Sequence, residues 1–216
     1  MHPLYDEFID YLDKEDKENC VKFVLDALEN NKIDILTLYK ELFEPSLNRF
    51  YCNVDEESLC IWKEHIRTSI IRTLIELCYP YILEERKKKN IKKMNIKVLV
   101  GCPAEEYHDT GAKMIADMFT LYGFDAYFVG ANTPREEIRD AINILKPKYI
   151  AISVTNYYSI METEKAICLI REHTKFDGKI IVGGTAFLSN PNIFKQIGAD
   201  LYLENYSQIK ELAEAV

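Results

Sequence analysis

Residues 96–130 read "IKVLVGCPAEEYHDTGAKMIADMFTLYGFDAYFVG", and this stretch decides the fold. A short β-branched run over 96–101 gives way to a polar loop. A segment with an apolar helical stripe from Met114 follows, and then a second β-branched run over 125–130. Alternating short apolar runs with amphipathic segments reads as strands joined by crossover helices. The alternation continues to the C-terminus. "YIAIS" (149–153), "KIIVGG" (179–184) and "ADLYLE" (199–204) read as further strands, and 110–122, 134–146, 159–175, 190–197 and 206–215 as helices. Five strands separated this way predict a parallel sheet with helices on both faces, the doubly wound, Rossmann-like α/β arrangement. Such sheets bind ligands beyond the C-terminal ends of their strands, where His108, Ser153 and the pair Gly183-Gly184 would lie.

Upstream of residue 95 the pattern is different. The first ninety residues contain no glycine and show only helical periodicity: Val21, Val24, Leu25 and Leu28 form one stripe, Leu38, Leu42 and Phe43 another, and Ile66, Ile70, Leu74, Leu77 and Cys78 a third. This predicts a helix bundle punctuated by Pro3, Pro45 and Pro80. The charge-dense run "LEERKKKNIKKMN" (83–95) reads as a helix end passing into a linker. Two domains follow, a helical cap over 1–90 and an α/β domain over 95–216.

Composition narrows the function classes. With 216 residues and 48% hydrophobic residues the chain can bury a real core. No stretch approaches the roughly 20 apolar residues that span a bilayer, and the acidic, amphipathic N-terminus does not resemble a secretion signal, so the expected address is the cytoplasm and no membrane is involved. A net charge of −8 repels phosphate backbones, and the basic run 86–93 has no aromatic interleaving, which argues against direct nucleic-acid binding. The six cysteines (Cys20, Cys52, Cys60, Cys78, Cys102 and Cys168) form no C-x-x-C pair and sit mostly in apolar runs. Buried, reduced thiols are expected rather than disulfides or a zinc site.

His108 is the residue that asks for chemistry. It stands on the loop after the first strand, and Glu106, two positions earlier, can bond one ring nitrogen and so fix the tautomer and raise the basicity of the other, as carboxylates do behind metal-bound histidines. Read alone, the stretch has a plainer account, in which Asp109 or Thr110 caps the next helix and His108 is a solvated loop residue.

The wider constellation changes that balance. Glu106-x-His108-x-x-Gly111, then Ser153-x-Thr155 at the third strand, then Gly183-Gly184 at the fourth, resembles the Asp-x-His-x-x-Gly, Ser-x-Leu/Thr and Gly-Gly signature of cobalamin-binding domains. Asp109, inside the motif, joins this set. The resemblance implies that His108 replaces the cofactor's own dimethylbenzimidazole as lower cobalt ligand, and that the displaced nucleotide tail enters a slot beside Ser153, Gly183 and Gly184. A four-helix cap followed by this domain is a recurrent family arrangement, so the resemblance spans nearly the whole chain. Within the family, "EYHDTGAKMIADMFTLYGFDAYFVGANTPREEI" looks closest to the light-sensing, adenosylcobalamin-dependent regulators. The methyl carriers of corrinoid methyltransferase systems are the alternative branch, which Asp109 matches and Glu106, Thr110 and Ala112 do not. The cap stretch "WKEHIRTSII" (62–71) carries a second likeness: in the sensors a Trp and, ten positions later, Glu-His line the cofactor's upper face. Glu64-His65 matches the second half, but ten positions before Glu64 stands Val54, so the aromatic is Phe50, Tyr51 or Trp62 after a local insertion, or is missing. Bundle packing and a surface helix position are the plain alternatives for Trp62 and His65.

The resemblance implies a cobalamin-binding sensor or regulatory module, not an enzyme by itself, with adenosylcobalamin favoured and methylcobalamin the other form. A photoreceptor role belongs to this reading. Because the sensors carry a DNA-binding domain ahead of the cap and this sequence begins at the cap, output is expected through a separate regulator, with homo-oligomerisation one route. In the methyl-carrier reading the partner is a methyltransferase. A cofactor-free, flavodoxin-like partner-binding domain is the third reading, on fold analogy alone.

Overall fold

The computed structural model describes residues 2–48 and 57–216, with residues 57–60 as backbone alone. The chain forms two compact units, Met1–Glu85 and Arg86–Val216.

The first unit is helical. Helix α1 (Tyr5–Asp13) is followed by α2 (Lys17–Glu29), whose start is capped by the Asp16 carboxylate accepting from the Asn19 N–H at 3.0 Å. Asp34 caps α3 (Ile35–Leu38) in the same way through Thr37, at 2.7 Å. A π-turn (Tyr39–Phe43) then joins α3 to α4 (Glu44–Asn48). The long helix α5 (Glu57–Lys88) completes the set. Phe8, Leu12, Val24, Leu38, Phe43 and Leu74 are at most 1% exposed, and they give the bundle its own core.

Of the three prolines expected to punctuate it, Pro3 stands in the turn just ahead of α1, whereas the other two do not mark breaks. Pro45 lies within α4 and Pro80 inside α5. Proline lacks the N–H of the helical ladder, and its ring crowds the carbonyl four residues back. At Pro45 the π-turn relieves this, because the Glu44 N–H reaches back five residues to the Tyr39 carbonyl and so widens the turn that Pro45 enters. The third apolar stripe also shifts. Ile70, Ile71, Leu74, Ile75, Cys78 and Ile82 are buried, while Leu77 is exposed and Ile66 half-buried. Arg67 is buried, held by the Asp13 carboxylate at 2.7 Å and the Ser46 carbonyl at 3.1 Å.

As expected, a helix ends within the charge-dense run, α5 at Lys88, and the stretch that follows pairs with the second unit's backbone where it nears β1: Met94 donates to the Gly123 carbonyl at 2.6 Å and Asp125 to that of Ile96 at 2.9 Å. Gly123 has φ +95, and a Cβ there would lie 2.4 Å from the Lys92 carbonyl oxygen. Charge density foretells solvated side chains but is silent about backbone partners.

The sheet has the order β2-β1-β3-β4-β5, all parallel, from β1 (Lys97–Gly101), β2 (Asp125–Gly130), β3 (Tyr149–Ser153), β4 (Lys179–Gly183) and β5 (Leu201–Leu203). Helices α6 (Thr110–Leu121), α7 (Arg135–Leu145), α8 (Ser159–His173), α9 (Ile193–Gln196) and α10 (Ser207–Glu214) alternate with the strands. Strands β1, β3 and β4 are buried almost throughout, as interior strands covered on both faces must be, whereas the edge strands β2 and β5 are half-exposed. On one face Leu99, Ile150, Ile152, Ile180 and Val182 pack with Ile138 and Ile142 of α7 and with Ile167 and Ile170 of α8. On the other, Phe119 of α6 meets Phe124 edge-on at 5.3 Å, and Phe124 meets Tyr149 at 5.9 Å. Strand order reverses between β1 and β3, the kind of switch point at which doubly wound sheets bind ligands. Among the described residues no helix is long and apolar enough to cross a membrane.

Candidate functional site

The loops leaving β1 and β3 meet at the switch point through one side chain. Glu106 is fully buried, and both of its oxygens are used. Oε1 lies 2.7 Å from His108 Nδ1 and accepts the His108 N–H at 3.0 Å. Oε2 accepts the N–H groups of Thr155 at 2.9 Å and Asn156 at 2.7 Å. Burial pushes the Glu106 carboxyl up, but the donors from Asn156, His108 and Thr155 outweigh it and hold the group below the usual glutamate range. In the neutral ring, an ionised carboxylate against Nδ1 favours the tautomer with the proton there and Nε2 as the bare nitrogen. The His108 side chain is 63% exposed, so its free edge faces outward.

The loop that presents His108 is itself fastened. Asn132, beyond β2, accepts the Glu105 N–H on its side chain and donates its own N–H to the Glu106 carbonyl, both at 2.8 Å. Glu105 and Asn132 take left-handed φ of 64° and 47°. The buried thiol of Cys102 lies 3.8 Å from the His108 carbonyl and stays protonated, pushed up to about 12 by burial and then by the Glu106 charge. Asp109 occupies the position before α6 but makes no capping bond with its side chain, and Thr110 is already the first residue of the helix.

The other expected residues take varied places. Ser153 ends β3, paired in register with Gly183, and is not the residue that Glu106 reaches. Thr155 contributes its backbone, and its carbonyl accepts the Thr185 hydroxyl at 3.2 Å, which ties in the loop after β4. A Cβ on Gly183 would lie 2.9 Å from the Leu203 carbonyl oxygen; one on Gly184, at φ +105, would lie 2.3 Å from that of Val154. Their smallness is demanded by the protein's own neighbouring strands. Gly184→Ala is therefore expected to destabilise the ligand-free protein by at least about 2 kcal/mol, from strain at positive φ plus the clash; a urea titration without cofactor checks it. Gly111 differs, because a Cβ there meets nothing within 4 Å.

Trp62, Glu64 and His65 lie on α5 in the first unit. Trp62 is 44% exposed, and His65 is exposed with Nε2 3.6 Å from Glu64. Phe50 and Tyr51 fall outside the described residues, as does Cys52. Of the other cysteines, Cys20, Cys78 and Cys102 are buried free thiols, whereas Cys168 is exposed, contrary to expectation, because it lies on the outward side of α8. Asn132 and Asn156 carry no signal in the sequence. "GANTP" and "TNYY" read as ordinary turns, and nothing in them marks a side chain that shapes a neighbouring loop.

No curated protein matches the chain. Its fold matches the monomethylamine corrinoid protein of Methanosarcina barkeri with a TM-score of 0.78 and 16% identity, over 99% of this chain and 98% of that one. A cobalamin-binding protein from Desulfitobacterium hafniense DCB-2 matches with a TM-score of 0.52 and 18% identity, over 98% of each. At these identities the likeness is one of fold. The B12 binding domain family model matches residues 96–209, from the residue before β1 into α10, and so takes in the sheet and every loop around His108: the chain belongs to the B12-binding-domain family.

Proposed function

We propose that the chain carries a cobalamin with His108 Nε2 as lower cobalt ligand and serves as a corrinoid carrier rather than as an enzyme by itself. The supporting observation is the 2.7 Å bond from buried Glu106 to Nδ1 behind an exposed imidazole edge. Among the described residues no three His, Cys, Asp or Glu side chains converge to hold an ion, so a single presented imidazole suits a metal that brings its equatorial ligands in a macrocycle. Bound cobalamin supplies a cobalt–carbon bond that can be made and broken. The protein's part is to orient His108 through Glu106 and to hold the loops after β1, β3 and β4 together. The open space at Gly111, beside the ligand histidine, gives a flat cofactor room to approach the start of α6. Gly111→Ala should then raise ligand-free stability by up to about 1 kcal/mol through helix propensity, while weakening hydroxocobalamin binding. Unchanged affinity would remove Gly111 from the site.

Two outputs fit such a carrier. A methyl carrier serving a separate methyltransferase is supported by the end-to-end fold likeness to the monomethylamine corrinoid protein. An adenosylcobalamin sensor, light-responsive and signalling to another regulator, is supported by the Glu64-His65 pair on α5. Illumination separates them. The adenosylcobalamin complex is expected to give a water-ligated spectrum after illumination, the same in wild type and His65→Ala. A bis-histidine spectrum lost in His65→Ala would decide for the sensor, and tight methyl- or hydroxocobalamin binding without adenosylcobalamin binding for the carrier.

A further inference from the structure

Glu106 can aim His108 only as well as it is itself held, and half of its hold comes from two consecutive backbone N–H groups in the loop after β3. Adjacent N–H groups in an extended chain point to opposite sides, so the convergence of Thr155 and Asn156 on one oxygen, at 2.9 and 2.7 Å, requires a turn there. Asn156 braces it. Its side-chain Oδ1 accepts the N–H of Tyr158 at 3.1 Å, an Asx-turn, and its carbonyl accepts that of Ser159 at 3.0 Å as α8 begins. Residues 155–158 are all exposed, with Tyr157 at 56% and Tyr158 at 84%. Little packing holds this loop in shape, and side-chain hydrogen bonds carry more of that task.

We propose that Asn156 is a positioning residue for His108. Through its Asx-turn it braces the loop that holds the Thr155 and Asn156 N–H groups on Glu106 Oε2, and the carboxylate so fixed keeps the imidazole in the Nδ1–H tautomer with Nε2 outward. That this serves cobalt rests on the function proposed above; the tautomer itself does not.

The test uses the ligand-free full chain, labelled with [15N]histidine, and reads the His108 ring by long-range proton–nitrogen correlation. Wild type should show the Nδ1–H form. Asn156→Ala should move the equilibrium toward Nε2–H by about 2- to 10-fold, the worth of one hydrogen bond, while the circular dichroism spectrum and the shifts of strand amides stay as in wild type. Asn156→Ser, whose hydroxyl makes the same turn more weakly, should fall between them. An unchanged tautomer in Asn156→Ala overturns the proposal, and so does Asn156→Ser behaving like Asn156→Ala. A second arm adds cob(II)alamin and reads the nitrogen coupling from the lower ligand by electron paramagnetic resonance. In wild type the 15N label should give a doublet. A 14N triplet there would defeat the cobalt-ligand reading and leave the tautomer result standing.

Discussion

Glu106→Gln should lower the stability of the ligand-free protein by about 2–4 kcal/mol at neutral pH. The carboxylate accepts two bonds on each oxygen, from His108 on one side and from Thr155 and Asn156 on the other. A glutamine has one oxygen and one NH2 group. Whichever way it turns, an N–H meets N–H donors on one side, in a position with no access to water. The pH dependence carries the same signature. Glu106 titrates below the unfolded value of about 4.3, so its contribution is complete above that value and is lost as pH falls through the folded one. Glutamine has no such loss. The gap between wild type and variant should thus be full at pH 7 and shrink below about pH 4. Urea titrations across that range measure it, and a gap constant with pH would mean that Glu106 is not held as the anion.

His108→Ala should remove the histidine-ligated form of bound cobalamin altogether while leaving the fold intact. The side chain is 63% exposed, so its loss opens no cavity, and Glu106 keeps three N–H donors. Cob(II)alamin bound to [15N]histidine-labelled protein should give a doublet coupling in wild type and none in the variant. A doublet that persists in His108→Ala would mean that another histidine reaches cobalt.

Much of this was legible in the residues. β1, β2 and β3 and the helix from Thr110 stand within a residue of where periodicity puts them, because interior strands and amphipathic helices announce both faces at once. The two-residue spacing of Glu106 and His108 also foretold their bond. What stayed hidden depends on backbone geometry. The reach of Glu106 across to Thr155 and Asn156 spans 50 residues of sequence and uses main-chain donors that every residue type carries. The reasons for Gly183 and Gly184 lie in the carbonyls of Leu203 and Val154, which no side-chain pattern records. At Pro45 a proline that reads as a helix break is absorbed by a π-turn, a change of winding that periodicity averages away.

The anchoring of Thr155 and Asn156 also sets how the loop after β3 can breathe. Both residues are exposed and would ordinarily exchange their amide hydrogens with water almost freely, but each N–H is committed to a buried carboxylate. Any excursion of this loop must first release Glu106 Oε2. Local opening of the loop and loosening of the imidazole are then one event with one free energy. Two slow amides in a surface loop would report, without any cofactor present, how firmly His108 is held.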